Sequence, residues 1–250
     1  MNNVLGYDNE LKNILDKFIS NNLPNSIIFH GSKGLGKRLF VNNLIIELIK
    51  LKIEGSKINH HINLFYNNSH PNIKIVEKEI DEKSNKIKSK ISIEQIRNLK
   101  NFIYKSTSFN DLFKIVIVDS ADDFNLNSSN SFLKTLEEPK GNTFIFLISH
   151  QLSSLIPTIR SRCLKIKMHN HNYKNFSNII NSYFKKINDE KISFLYDLSN
   201  GSPGLAINLF DENIFKLYNN SFSLLSNNNA VISISEITDE ILKLDNDKFK

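Results

Sequence analysis

A single cysteine, Cys163, stands among 250 residues. One thiol excludes an intramolecular disulfide and any zinc site built from several cysteines. It also points to a reducing compartment, where thiols stay free. No apolar run approaches the roughly 18–20 residues that span a bilayer. The opening stretch, Met1 to Glu10, is polar and carries acids, unlike a secretory signal. A cytoplasmic protein with no membrane partner is expected. No internal repeat is evident. His60, His61 and His70 lie close together but lack acidic or thiol partners at ligand spacing, so no metal site is expected there.

The remaining composition is that of a globular chain, 40% hydrophobic and 23% charged. Asparagine, isoleucine and lysine are heavily used, a pattern that fits nucleotide bias in the coding sequence. The formal net charge of +6 permits contact with nucleic acid without requiring it.

Gly31-Ser32-Lys33-Gly34-Leu35-Gly36-Lys37-Arg38 spells a phosphate-binding loop with one departure. The Walker A pattern is Gly, four residues, then Gly-Lys-Ser/Thr. Backbone N–H groups cradle phosphate, the lysine reaches the outer phosphates and the hydroxyl ligates Mg²⁺. Here Arg38 takes the hydroxyl's place, and a guanidinium has donors only, so it cannot ligate a metal. The apolar run Ser26 to His30 before the loop suits a buried strand. Leu39, Phe40, Leu44, Ile45 and Leu48 after it recur at helical spacing. Strand, glycine loop and helix is the setting that places phosphate at a helix N-terminus. A plain glycine-rich turn is the competing reading.

Further strands are expected at Ile73 to Val76, Lys114 to Asp119, Thr143 to Ile148 and Leu164 to Ile166. A helix ahead of the first strand is marked by Leu11, Ile14, Leu15, Phe18 and Ile19. Ser92-Ile93-Glu94-Gln95 is a capping box opening a helix that runs to about Ser106. The stretch Lys52 to His70 is polar, and Glu77 to Lys90 reads as a solvated loop. Asp119 ends its strand where a phosphate-loop protein orders Mg²⁺. Ser120 follows it, so the carboxylate that would position an attacking water is missing. Asp122 and Asp123 are expected to cap or flank the next helix, Asn127 to Glu138, which Pro139 and Gly141 stop. Pro157 suits the first turn of a short helix. From about Asn170 the pattern is helical, with a break at Gly201-Ser202-Pro203-Gly204. The expected fold is α/β: a P-loop NTPase parallel sheet with helices on both faces over residues 1–168. A small all-α lid domain follows over residues 169–210.

Several ordered motifs resemble one family. Ile115-Val116-Ile117-Val118-Asp119, Asn130 with Phe132-Leu133-Lys134, Leu136-Glu137-Glu138-Pro139 and Pro157-Thr158-Ile159-Arg160-Ser161-Arg162-Cys163 look like those of bacterial clamp-loader subunits. These are AAA+ proteins of the DNA polymerase III holoenzyme. Val4-Leu5-Gly6, Leu23-Pro24-Asn25-Ser26 and Gly201-Ser202-Pro203-Gly204-Leu205-Ala206 agree, so the resemblance runs from about residue 4 to 210. Arg38, Ser120 and the single cysteine resemble the delta-prime type rather than the hydrolysing gamma/tau type.

The resemblance implies a stator-like subunit with little or no ATPase of its own. Its partners would be gamma/tau and delta, with the sliding clamp and primed DNA reached through the complex. It implies a degenerate nucleotide site at Gly31, Gly34, Gly36, Lys37 and Arg38, with Asp119 as the Walker B residue. At most ATP or ADP binds there weakly, and no zinc is held. It gives Arg162 the role of an arginine finger acting in trans on ATP in the adjacent subunit; a structural salt bridge is the other reading. A full helical collar is expected to be missing, with residues 211–250 expected to form only a short helical remnant of it. Weak, salt-sensitive assembly is the corresponding expectation. An active gamma/tau-like ATPase and a stand-alone AAA+ regulator remain the alternative functions.

Overall fold

The computed structural model describes residues 6–81, 85–105, 109, 112–184 and 186–210. The helical remnant expected over residues 211–250 lies outside these residues, as do Val4 and Leu5. The chain divides into two compact units, residues 1–32 with 36–169, and residues 33–35 with 170–250.

The first unit is built on five strands: β1 (Ser26–His30), β2 (Ile73–Val76), β3 (Lys114–Val118), β4 (Thr143–Ser149) and β5 (Leu164–Lys167). Their order is β2-β3-β4-β1-β5, and every neighbouring pair is parallel. Ile28 stands opposite Leu147, and Val116 opposite Ile145. The central strands β1, β3 and β4 are apolar almost throughout because both faces are covered.

Side chains alternate across the sheet. Ile28, Val116, Val118, Ile145 and Leu147 turn to one face. There they meet Ile96 and Leu99 of α4 (Ile93–Tyr104), Phe132 and Leu136 of α5 (Leu126–Glu137), and Ile159 of α6 (Pro157–Ser161). The alternate residues turn to α1 (Asp8–Ile19) and α2 (Lys37–Lys52). Phe29 meets Phe40 of α2 with ring centroids 5.5 Å apart, and Phe18 of α1 meets Phe113 at 5.5 Å. Phe29, Phe40 and Phe113 are buried, and each contributes about 1.5–3 kcal/mol. Leu39, which the spacing groups with the core, instead faces solvent.

The Ser92–Gln95 box caps α4 in both directions, and α4 ends at Tyr104, slightly ahead of expectation. Lys114, buried at the start of β3, explains how that end is held. Its ammonium donates to the carbonyls of Phe102 at 2.7 Å, Ile103 at 3.0 Å and Lys105. A cation at a helix C-terminus satisfies carbonyls that have no partner within the helix. The polar stretch Lys52 to His70 forms a helix, α3 (Lys57–Tyr66), which buries His61, Ile62 and Phe65. Within Glu77 to Lys90, Ile80 and Ile87 form an antiparallel bridge.

The second unit contains α7 (Tyr173–Tyr183), α8 (Asp189–Ser199) and α9 (Pro203–Leu209). Asn172 and Asn188 cap the first two. Phe176, Ile180, Ile192, Leu195 and Ala206 form its core. The short segment Lys33–Leu35 belongs to this unit: Gly204 N–H donates to Gly34 O, and Ser202 Oγ donates to Lys33 O, both at 2.8 Å. Gly34 has φ +83°, and a Cβ there would lie 2.5 Å from Leu205 N and Ser202 Oγ. Conformation and space both require glycine. Among the described residues no helix is long and apolar enough to cross a membrane.

Candidate functional site

The phosphate-type loop leaves β1 and enters α2 at Lys37, so the free N–H groups of a 16-residue helix open at its end. Gly36 is the N-cap at φ +79°, a left-handed conformation with nothing within 4 Å of a notional Cβ. Glycine is needed there for backbone freedom alone. Lys37 is only 3% exposed. Its ammonium turns back on the loop and donates to Gly31 O and Ser32 O, each at 2.6 Å. Burial lowers its pKa to about 8, against the pull of Asp122 and Asp119 in the other direction. With that pKa the ammonium still carries its charge at neutral pH.

Arg38 resolves the departure in the motif. Its Nη1 donates to Asp119 Oδ2 at 3.0 Å, and its Nε donates to Asn42 Oδ1 at 3.1 Å. The two positions that would share a magnesium ion, the residue after the lysine and the strand-end carboxylate, instead pair with each other. The pair is partly exposed, so its stabilising contribution is modest, about 0–1 kcal/mol. Its chemical consequence is larger. A fixed guanidinium occupies the Asp119 carboxylate that a metal would need.

Ser120 follows Asp119 at φ +61°, and its Oγ lies 3.4 Å from His150 Nε2. Ser120 thus stands where a hydrolysing site would carry a carboxylate, and its partner is an imidazole. Asp122 is the residue that sequence reasoning misplaced. It does not cap the following helix; Asn125 does that, with Ser128 reciprocating. The Asp122 carboxylate crosses to the end of β4 and accepts from Ser149 Oγ at 2.7 Å, His150 N–H, Gln151 N–H and Ser154 Oγ. Burial pushes its pKa up, but these four hydrogen bonds outweigh it and hold the carboxyl below its usual range. The signal that would have found it is topological. β3 and β4 are parallel neighbours, so the residues just past their C-terminal ends meet.

Gly31, Gly36, Lys37, Arg38 and Asp119 therefore converge. Gly34 makes its contacts in the helical unit. Arg162 stands elsewhere, at the C-cap of α6, with its Nε 2.6 Å from Glu137 Oε1. Cys163 is buried, and burial raises its thiol pKa to about 12, which makes it inert at neutral pH. His61 Nδ1 and His70 Nε2 are 2.9 Å apart and buried. Among the described residues, no group of three or more His, Cys, Asp or Glu is arranged to hold a metal ion.

Residues 7–172 match the family model described as DNA polymerase III, delta subunit. DNA polymerase III subunit delta' of Pseudomonas aeruginosa is 32% identical over 141 residues, covering 55% of this chain and 41% of that protein. DNA polymerase III subunit gamma of Buchnera aphidicola subsp. Schizaphis graminum is 30% identical over 136 residues, covering 53% and 37%. The chain thus matches about two fifths of the length of these relatives. Among solved structures, a DNA polymerase III gamma subunit-related protein of Thermotoga maritima superposes with a TM-score of 0.50 at 22% identity. It covers 79% of this chain and 56% of that one, and it supports the fold alone. The parallel sheet, the loop at its centre and a family match across most of the first unit agree: this chain belongs to the DNA polymerase III clamp-loader AAA+ family of the delta-prime type.

Proposed function

We propose that the chain is a stator-like clamp-loader subunit. In this reading it does not hydrolyse ATP itself, and it presents Arg162 to ATP bound by a neighbouring subunit. Its partners would be gamma/tau-type and delta subunits, with the sliding clamp and primed DNA engaged through the assembly. The observation that carries the reading is the Arg38–Asp119 pair, a cation built into the place of the metal. Phosphoryl transfer depends on a metal bridging the outer phosphates and on a group that orients the nucleophile. Arg38 and Ser120 supply neither.

The test has two arms. The purified chain with Mg²⁺ and ATP should turn over far below the roughly 1–100 s⁻¹ of a competent phosphoryl-transfer enzyme. In an assembly reconstituted with its hydrolysing partners, Arg162→Ala should leave this chain folded and slow the adjacent site by about a thousand-fold. Turnover by the chain alone would favour the second reading, a gamma-type ATPase. That reading draws support from the match to a gamma subunit and from the retained Lys37. Failure to recover gamma/tau or delta in a pulldown would favour a stand-alone AAA+ regulator.

A further inference from the structure

The Arg162 guanidinium is held along one side by its own chain. Nε donates to Glu137 Oε1 at 2.6 Å, and Nη2 reaches the same oxygen. Nη1 donates to the Thr158 carbonyl at 2.9 Å. A guanidinium has five N–H donors in a rigid plane. The Glu137 contacts use the side edge formed by Nε and Nη2, and the Thr158 contact draws Nη1 back toward α6. The outer hydrogens of Nη1 and Nη2 form the tip edge, and Nη1 also donates to Ser161 Oγ in a long 3.4 Å contact that a phosphate oxygen would have to replace. That edge has the spacing to bind two oxygens of one phosphate.

Both supports of this arrangement are anchored. Glu137 is the last residue of α5, whose start is fixed by the Asn125–Ser128 capping box and whose inner face buries Phe132 and Leu136. Arg162 is the C-cap of α6, whose start is set by Pro157 and whose Ile159 is fully buried. An untethered arginine at the surface would spread over many rotamers. Here the side-chain direction is set before any partner arrives.

We infer that Glu137 is a positioning residue for the Arg162 finger: it orients the guanidinium so that its tip edge meets the terminal phosphate of a nucleotide held by the adjacent subunit. The inference rests on the finger reading of Arg162 given above. Glu137 does not touch the nucleotide and acts only through the arginine. Correct orientation of a catalytic group is worth orders of magnitude in rate when lost by an ångström.

The experiment uses the reconstituted assembly with every hydrolysing site silenced except the one facing Arg162. Glu137→Ala should lower kcat at that site by about tenfold and leave KM for ATP within about twofold, since only a transition-state contact is disturbed. Glu137→Gln keeps an acceptor oxygen and should retain most of the rate. The double variant Glu137→Ala/Arg162→Ala should be no slower than Arg162→Ala alone. A wild-type rate for Arg162→Ala would sink the finger reading itself. A slow Arg162→Ala with a wild-type Glu137→Ala would sink only the positioning role. An equal loss from Glu137→Ala with and without Arg162 would mean that Glu137 acts on the fold and would overturn the inference. On the isolated chain, the Arg162 Nε–H proton should exchange more slowly with solvent than that of exposed Arg97, and Glu137→Ala should abolish the difference. Equal exchange rates in the unaltered chain would likewise overturn it.

Discussion

Arg38 Nη1 lies 3.0 Å from Asp119 Oδ2, joining the two residues that a hydrolysing phosphate loop would use for its metal. The contact explains why losing one hydroxyl matters more than a missing ligand usually would. Arg38 withholds its own coordination and also occupies the remaining carboxylate. Nucleotide affinity should therefore come from Lys37 and the α2 N-terminus, with no contribution from magnesium. Titration with a fluorescent ATP analogue should give the same affinity with Mg²⁺ or with chelator, within about twofold. Arg38→Thr restores the hydroxyl and frees Asp119 together. It should make binding Mg²⁺-dependent, with about tenfold tighter binding in the metal, or roughly 1.4 kcal/mol. A variant indifferent to Mg²⁺ would show that the ion pair is not what excludes the metal.

Lys37 gives the site a pH dependence of defined sign. Its pKa is lowered to about 8, chiefly by burial. The ammonium is present below that value and is lost as pH rises through it. Affinity for a phosphate anion should fall by about tenfold between pH 7 and pH 9. The same titration across pH measures this, and Lys37→Ala should be weak and flat throughout. A wild-type profile that stays level to pH 9.5 would place the binding charge elsewhere.

Asp122 should matter for stability more than for chemistry. It ties the turn after β3 to the end of β4 through four donors, two of them backbone N–H groups. Asp122→Ala leaves those donors to find water in a half-buried corner. A loss of about 2–4 kcal/mol is expected from hydrogen bonds to a charged acceptor and the desolvation they leave behind. Urea denaturation of the two proteins would measure it. A loss below about 0.5 kcal/mol would mean that the corner is already hydrated.

Much of this arrangement was legible in the sequence, and the exceptions share a cause. β1 and the starts of β3 and β4 fall where their apolar runs predict, because a strand buried on both faces leaves a dense local signal. The capping box at Ser92 and the Pro157 start of α6 are equally local. The phosphate loop and Asp119 were readable as the two halves of a metal site. That Arg38 would bridge to Asp119 was not, since the partners are 81 positions apart and meet only through the β1-β4-β3 order. Asp122 and Lys114 escaped for the same reason. Each is a polar residue whose partners lie on another element, and nothing local distinguishes it from a solvated side chain. Helix α3 was missed differently. Its buried face includes His61 beside Ile62 and Phe65, so polar composition masked the pattern.

That buried histidine supports the last prediction. His70 Nδ1 accepts from the Asn72 N–H at 3.1 Å, while its Nε2 lies 2.9 Å from His61 Nδ1. With Nδ1 committed as an acceptor, the neutral ring carries its proton on Nε2 and donates it to His61. A second proton would have to sit on Nδ1, against an N–H donor. Phe109 lies against both rings, at 4.5 Å from His61 and 5.7 Å from His70, so little solvent is available to relieve the charge. Burial first, and then the charges of His61 and His60, lower the His70 pKa from 6.5 to about 4. The unfolded chain then binds more protons than the folded one between those values. The stability contribution is complete above about pH 6.5 and is lost as pH falls toward 4. Allowing for solvent screening, the loss should be about 1–2 kcal/mol. His70→Asn offers an acceptor oxygen without a titrating ring. Urea midpoints at pH 7 and pH 4.5 should differ less in His70→Asn than in the parent by that amount. The same pH dependence in both proteins would assign the acid sensitivity to other groups.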